Sequence, residues 1–400
     1  MKIIPKNKIY VNVNKKSILR FFNCCPTNEP SFSYIMIKIA KALSARKIFS
    51  HSSILLFIGG IGMMVIFTIL ILFVIIQNGF SNSSSAITGC VSARSMSHEG
   101  AVRLATVCTF LGSVAITRFN PRVTHTFFGI ADFGEDRDTA LLSLCTALFA
   151  VLLLSALSHK IGLPTSDSHA LVSGLTGAAL ANKMNISVIN ANEWKLVLFG
   201  FLLSTIPAFL LGFIFNAFLQ KFLEKILKLS RRDAIKHFKR TQKWSTAWNA
   251  VLHGAQDCQK YTGVYMIGIS LSSQKASQSD APVPISVLLL CTAALTLGSA
   301  FGSSNVVKKV GAELCELDAP SYSAASAAAS VIVTLCTLIG MPADILQSRA
   351  CAFIGAGLSI KRRPNIQVVS QIAVSWILTF PACMSVGFIL SYLSKLYLLR

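Results

Sequence analysis

The chain alternates long apolar runs with short segments rich in Gly, Ser and polar residues, and this alternation constrains its fold more than any other feature. Runs of about 18–26 residues can be read near residues 53–77, 100–118, 138–159, 194–220, 284–301, 322–340 and 370–393, each long enough to cross a bilayer as a helix. Inside hydrocarbon every backbone polar group must be satisfied within the protein, so helices are the spanning form this pattern predicts. Between the runs lie segments too polar or too short to cross alone, near residues 78–97, 164–181, 253–272 and 342–360. Such segments persist at membrane depth only where protein or a water-filled cavity covers their backbone. They are the first place to look for a site.

Charge supports this reading. Only 13% of residues are charged, yet 37 Lys+Arg stand against 16 Asp+Glu. An excess of that size suits a nucleic-acid binder, but such a protein does not carry repeated spans, so no nucleic-acid partner is expected. The basic residues concentrate in a leader, residues 1–50, and in the stretch from Lys221 to Lys243, with nine Lys/Arg against Glu224 and Asp233. The positive-inside rule places both in the cytoplasm and the chain in the cytoplasmic membrane as a multi-pass protein. The predicted organisation is a mobile basic leader (1–50), a first membrane repeat (51–220), a basic cytoplasmic loop (221–243) and a second repeat (244–400). Trp194, Trp244 and Trp248 read as interface anchors. The acidic patch Asp132, Glu135, Asp136 and Asp138 reads as a solvated loop. Cys24 and Cys25 form a candidate lipidation pair. No Cys/His zinc spacing, P-loop or G-x-S-x-G elbow is present, so neither a metal cofactor, an ATP-driven pump nor a hydrolase is expected.

The most informative pattern is an internal repeat. GLPTSDSHALVSGLTGAAL (162–180) and GMPADILQSRACAFIGAGL (340–358) share Gly162/Gly340, Pro164/Pro342, Gly177/Gly355, Ala178/Ala356 and Leu180/Leu358, all offset by 178. Upstream, Gly79/Gly254 and Asn82/Asp257 align at an offset of 175. Paired, Gly/Pro-interrupted segments in two halves point to the binding site of a secondary transporter. Small residues that merely let helices pack closely account for Gly177 or Gly355, but not for four polar interruptions in register.

These motifs resemble those of the inorganic phosphate transporter (PiT) family. HGAQDCQKYTGV (253–264) resembles its H-G-(A/S)-N-D-x-Q-K-x-x-G signature, and IGLPTSDSHALVSGLTGAAL (161–180) its G-L-P-T-S-T-T-H-A-L motif. NGFSNSSSAI (78–87) is similar to N-G-x-x-D-x-A-N-A-(I/M), and residues 303–320 to the link into the last third. The resemblance implies two inverted repeats of transmembrane helices with re-entrant hairpins, and a symporter that moves phosphate with sodium or a proton. It implies anion binding by Thr165, Ser166, Ser168, Gln256, Asp257 and Gln259, and coupling-cation contacts at Asn82, Ser85 and Asp257; Asp167, a departure from the motif, is added as a cation contact because its carboxylate, when ionised, can bind one. Helix starts inside a cavity suit an oxyanion, because unpaired N–H groups and the positive dipole end converge there. His169 and His253 are read either as hydrogen-bonding groups beside the site or as packing residues.

The chain also departs from the pattern. Asn82 stands where the family carries Asp, Ser85 where it carries Asn, and Asp167 where it carries Thr. In the second repeat Pro-x-Ser-Thr-Thr-His becomes Pro342-Ala343-Asp344-Ile345-Leu346-Gln347, and Arg349 appears in a segment expected at membrane depth. A guanidinium there can hold an oxyanion bidentately; alternatively Arg349 pairs with Asp344 or snorkels to a polar edge. The expected function is therefore cation-coupled phosphate transport. The alternatives are a permease of the same fold for sulfate or another oxyanion, and a non-transporting sensor or partner relative, with assembly as a homo-oligomer compatible with each.

Overall fold

The computed structural model describes residues 60–134, 136–161, 165–225, 230–273, 282–302 and 307–398. The basic leader with Cys24 and Cys25, the start of the first apolar run, Gly162, Pro164 and residues 303–306 of the link lie outside the described residues. Among the described residues the regular structure is helical: α1 (Gly60–Ser92), α2 (His98–Phe119), α3 (Arg122–Phe128), α4 (Arg137–Ile161), α5 (Asp167–Lys183), α6 (Ala191–Lys225), α7 (Arg231–Ser273), α8 (Ile285–Ser299), α9 (Ala319–Ile339), α10 (Ile345–Ser359) and α11 (Ile366–Leu398). Six of these, α1, α2, α4, α6, α9 and α11, are long and apolar enough to cross a membrane. The molecule is an all-α, multi-pass membrane protein.

Helix boundaries correct the sequence reading in four places. The segment 78–97, expected as an interruption, continues α1 without a break to Ser92. Its polar residues face the protein: Asn78, Ser81, Ser83, Ser84, Ser85 and Thr88 are all buried, and Ser85 and Thr88 donate to the Asn82 and Ser84 carbonyls at 2.7 and 2.8 Å. Residues 253–272 likewise sit inside the 43-residue α7. The expected span at 284–301 is the 15-residue α8, too short to cross alone. The basic stretch from Lys221 to Lys243 is helical through Lys225 and again from Arg231. By contrast α5 and α10 are short helices that begin from non-helical backbone, as the interrupted reading predicts; Ser166 and Asp344 cap them.

The two halves repeat the same element order, with α1, α2, α4, α5 and α6 answered by α7, α8, α9, α10 and α11. Packing follows an exchange rule. Helix α1 lies on α8 and α7 on α2, α5 on α11 and α10 on α6, so each contact has a counterpart with the halves swapped. Glycines allow the close approaches. A Cβ at Gly254 would collide with the Thr109 carbonyl of α2, and one at its equivalent Gly79 with the Leu295 carbonyl of α8. In the same way Gly177 would strike the Met384 carbonyl and Gly355 the Phe209 carbonyl. In lipid, where helix association relies on close packing, such small-residue contacts are what hold helices together. The second half adds an alanine seam, with Ala325, Ala328 and Ala329 of α9 near Ala350, Ala352 and Ala356 of α10, capped by Tyr322 and Phe353.

Within the acidic patch, whose Glu135 lies outside the described residues, Asp132 and Asp136 are tied down locally. Asp136 accepts from the Thr139 amide at 3.2 Å, and Asp132 accepts from Lys183 Nζ at 2.5 Å and the Gly134 amide at 2.8 Å. Partial burial pushes the Asp132 carboxyl up, but these two donors outweigh it and hold it below its ordinary value. The contribution is therefore present at neutral pH and lost as pH falls through the lowered value. Because the pair is solvent-accessible, with side chains 37% (Lys183) and 63% (Asp132) exposed, Lys183→Ala should cost no more than about 1 kcal/mol. Comparing detergent melting of that variant and wild type at neutral and acid pH checks this, with the difference vanishing in acid.

Candidate functional site

Periodicity on α7 builds the site. His253, Gln256, Asp257 and Lys260 recur at three- and four-residue spacing and so share one face, and all four are buried. Lys260 Nζ donates to Asp257 Oδ1, Ser168 Oγ and the Ala343 carbonyl, each at 2.8 Å. The other carboxylate oxygen, Oδ2, lies 3.1 Å from His253 Nδ1 and accepts from Asn82 Nδ2 at 3.2 Å. A buried charge persists when it is paired and hydrogen-bonded, and Asp257 meets both conditions. Gln256 anchors the approach to α10: its Nε2 donates to Thr337 Oγ1 at 2.9 Å and the Met341 carbonyl at 3.3 Å, while its Oε1 accepts from the Ala343 amide at 3.2 Å.

Three contacts join a residue to its own repeat equivalent. Asn82 meets Asp257 across 175 residues, Ser166 donates to Asp344 across 178, and His169 Nε2 meets Gln347 Nε2 at 3.3 Å, also across 178. These pairs and the exchanged packing of the two halves together describe a pseudo-two-fold relation between the repeats, whose axis we place at this cluster, where the capped starts of α5 and α10 meet. His169 Nε2 faces Gln347, its Nδ1 lies 3.4 Å from the Trp376 carbonyl, and its ring packs between Phe201 and Phe380. The hydrogen-bonding and packing readings of His169 thus describe one environment.

Ser166, Ser168, Gln256, Asp257, Asn82, His169, His253 and Asp344 come together. Gln259 does not: it lies two positions from Asp257, about 200° around the helix, and its Oε1 accepts instead from the Val123 amide of α3 at 3.1 Å. Thr165 faces α4, donating to Ser158 Oγ at 2.8 Å. Asp167 sits one side of the axis, where it accepts from Ser81 Oγ at 2.6 Å, Ser155 Oγ at 3.3 Å and Asn78 Nδ2 at 3.4 Å. Arg349 neither pairs with Asp344 nor snorkels: its buried head donates to the Ser85 carbonyl and lies 3.5 Å from Ser326 Oγ. The sequence places Lys260 among the few charges at membrane depth, with Asp167, Asp257, Asp344 and Arg349, but assigns it no contact in the site; its i+3 spacing from Asp257 was the signal. Asn78 and Ser81 lie in the motif at 78–87 and Ser155 in none, and only the fold brings the three to Asp167.

Ser166 has a double role, since its Oγ also accepts from the His169 amide at 3.2 Å. Ser166→Ala should therefore remove a cap worth about 1 kcal/mol and free Asp344, which melting of the purified variant would show as a modest loss of stability.

A profile described as the phosphate transporter family matches residues 78–387. In Bacillus subtilis a "Probable low-affinity inorganic phosphate transporter" is 25% identical over 311 residues, spanning 78% of this chain and 90% of that one. A protein of the same description in Rhizobium meliloti is 28% identical over 313 residues, 76% of this chain and 88% of its own. Among solved structures, one titled "The sodium-dependent phosphate transporter" superposes with a TM-score of 0.70 at 19% identity, over 84% of this chain and 99% of that chain, and so shares the fold. Profile, relatives and fold agree with the repeated motifs: the chain belongs to the phosphate transporter family.

Proposed function

We propose that the protein moves inorganic phosphate across the cytoplasmic membrane by cation-coupled secondary transport, binding the anion on the two-fold axis between the starts of α5 and α10. The observation that supports this most is the meeting of two helix N-termini with a buried ammonium. The amides after Ser166 and Asp344 bring partial positive charge to the axis, and Lys260 Nζ lies within 2.8 Å of Ser168 and Ala343 on either side. In the described arrangement Lys260 is satisfied by Asp257, Ser168 and Ala343 and the start of α10 by Asp344, so an incoming phosphate competes with these internal partners. Binding is then coupled to rearrangement of the axis, as alternating access around a fixed site requires.

The coupling cation, sodium or a proton, is assigned to Asp167. Asp257 already has an ammonium on one oxygen, whereas Asp167 is held by hydroxyl and amide donors with no basic side chain among its hydrogen-bond partners. An intramembrane carboxylate so placed favours a cation or a proton. The basic segments face the cytoplasm in this reading.

Uptake of radiolabelled phosphate into proteoliposomes tests the function. The expected result is uptake that a sodium or proton gradient accelerates in wild type and no longer accelerates in Asp167→Asn. Absence of uptake under either gradient overturns the function, and unchanged gradient dependence in the variant overturns the cation assignment alone.

A further inference from the structure

We propose that Arg349 anchors a second oxyanion-binding site, off the axis, formed with Gln242 and Ser326 beside Gly89. The proposal rests on the transport reading for naming phosphate as the ion and for counting a first ion on the axis. Arg349, Gln242 and Ser326 are 1%, 1% and 2% exposed, and none of the ion pairs among the described residues includes Arg349. Its Nη1 is committed to the Ser85 carbonyl, and Nη2 reaches Ser326 Oγ only at 3.5 Å. The third nitrogen, Nε, is buried without a partner.

In a guanidinium the Nε–H and the outer Nη2–H point the same way and form the fork that grips a phosphate or carboxylate with two parallel bonds. Nε is the unfilled half of that fork, and the other half, Nη2, has only the long 3.5 Å contact to Ser326 Oγ. Ser326 Oγ and Gln242 Nε2 in turn converge on the bare backbone of Gly89, where an added Cβ would lie 3.0 and 3.3 Å from them. Gln242 Nε2 is also buried without a partner, while its Oε1 accepts from Ser95 Oγ at 3.1 Å. The unsatisfied groups are thus an uncompensated cation and N–H donors, and no carboxylate answers them. Buried donors left unpaired are costly, and a tetrahedral anion with several acceptor oxygens satisfies such a set at once. Enclosure of all three side chains selects a free inorganic ion over a lipid headgroup.

The place of the site gives it a role. Ser85 is about one turn along α1 from Asn82 on the axis, and Gly89 one turn further toward Ser95. An ion at Arg349 waits beside the axial site, on the side of the α1–α2 connection, and serves as a station on the path to that end.

Equilibrium dialysis of radiolabelled phosphate against the purified full-length chain counts ions per chain. Wild type should bind two. Gln242→Glu should bind one, because its carboxylate takes the place of the ion beside the guanidinium, and its melting temperature should not fall, since the new charge is paired. Uptake is measured in parallel. One ion per wild-type chain with uptake intact would overturn the second site and leave the transport reading standing. Two ions in Gln242→Glu would overturn the assignment to Arg349. Binding sensitive to Gln242→Glu without any uptake would support the site and overturn the transport reading, whereas no phosphate bound would overturn both.

Discussion

Lys260→Met should abolish phosphate uptake and destabilise the protein by about 3–5 kcal/mol, the range for breaking one partner from a buried ion pair. The ammonium makes three bonds at 2.8 Å, and its removal leaves the Asp257 carboxylate buried beside Asn82 and His253. The double variant Lys260→Met/Asp257→Asn removes both charges together and should recover most of the lost stability, because the desolvation cost of the pair disappears with its attraction. It should not recover uptake. Melting in detergent and proteoliposome uptake read the two effects separately. If the double variant transports, Lys260 and Asp257 form only a structural pair and the anion binds elsewhere.

A second large effect is expected at the crossing of α7 and α2. Gly254→Val places a side chain against the Thr109 carbonyl and 2.9 Å from Ser113 Oγ, with rigid helix backbone on the far side. Neither helix can retreat without disturbing the Ser113 hydroxyl, which donates to the Gly254 carbonyl at 3.1 Å. Overpacking of this kind costs at least about 1–3 kcal/mol, and here it also shifts the face that carries Asp257, so folded yield and uptake should fall together. Gly129→Ala is the control: its nearest neighbour, a Glu193 side-chain carbon, stands 3.4 Å away, and it should be near neutral. Detergent-stable yield by size exclusion compares the two.

Much of this arrangement was legible in the sequence. The offsets of 175 and 178 in the motifs reappear as direct contacts between Asn82 and Asp257, Ser166 and Asp344, and His169 and Gln347. A repeat read from residue spacing thus has a direct counterpart in which residues meet. The short helices α5 and α10 were also visible, as Pro- and Gly-interrupted segments. What hid the continuity of α1 was its polarity: Asn78 through Ser85 look unfit for a membrane helix until their hydroxyls and amides are seen to turn inward. Gln259 was grouped with Asp257 by motif, although helical phase places the two on different faces. The partner of Arg349 was out of reach for a different reason, because Ser85 lies 264 residues away and offers only a backbone carbonyl.

Arrangement at the axis also bears on the substituted second-repeat motif. Replacing a hydroxyl by Asp344 looks like a repulsive change in an anion site, yet the carboxylate caps α10 and accepts from the Gln347 amide at 3.0 Å and from Ser166. On the proposed reading it competes with the anion for these donors. Loss of the Asp at position 82 is matched by Asn82 donating to Asp257, which leaves the Lys260 ammonium paired with one carboxylate there.

The proposed binding of phosphate on the axis where α5 and α10 begin is tested most directly by a density map of the full-length protein in saturating phosphate. The expected result is a tetrahedral peak within hydrogen-bonding distance of Lys260 Nζ and the first amides of both short helices, with Asp344 withdrawn from Ser166. A protein that takes up phosphate but shows the Ser166–Asp344 and Lys260–Ala343 contacts intact, with no anion between the two helix starts, would contradict it.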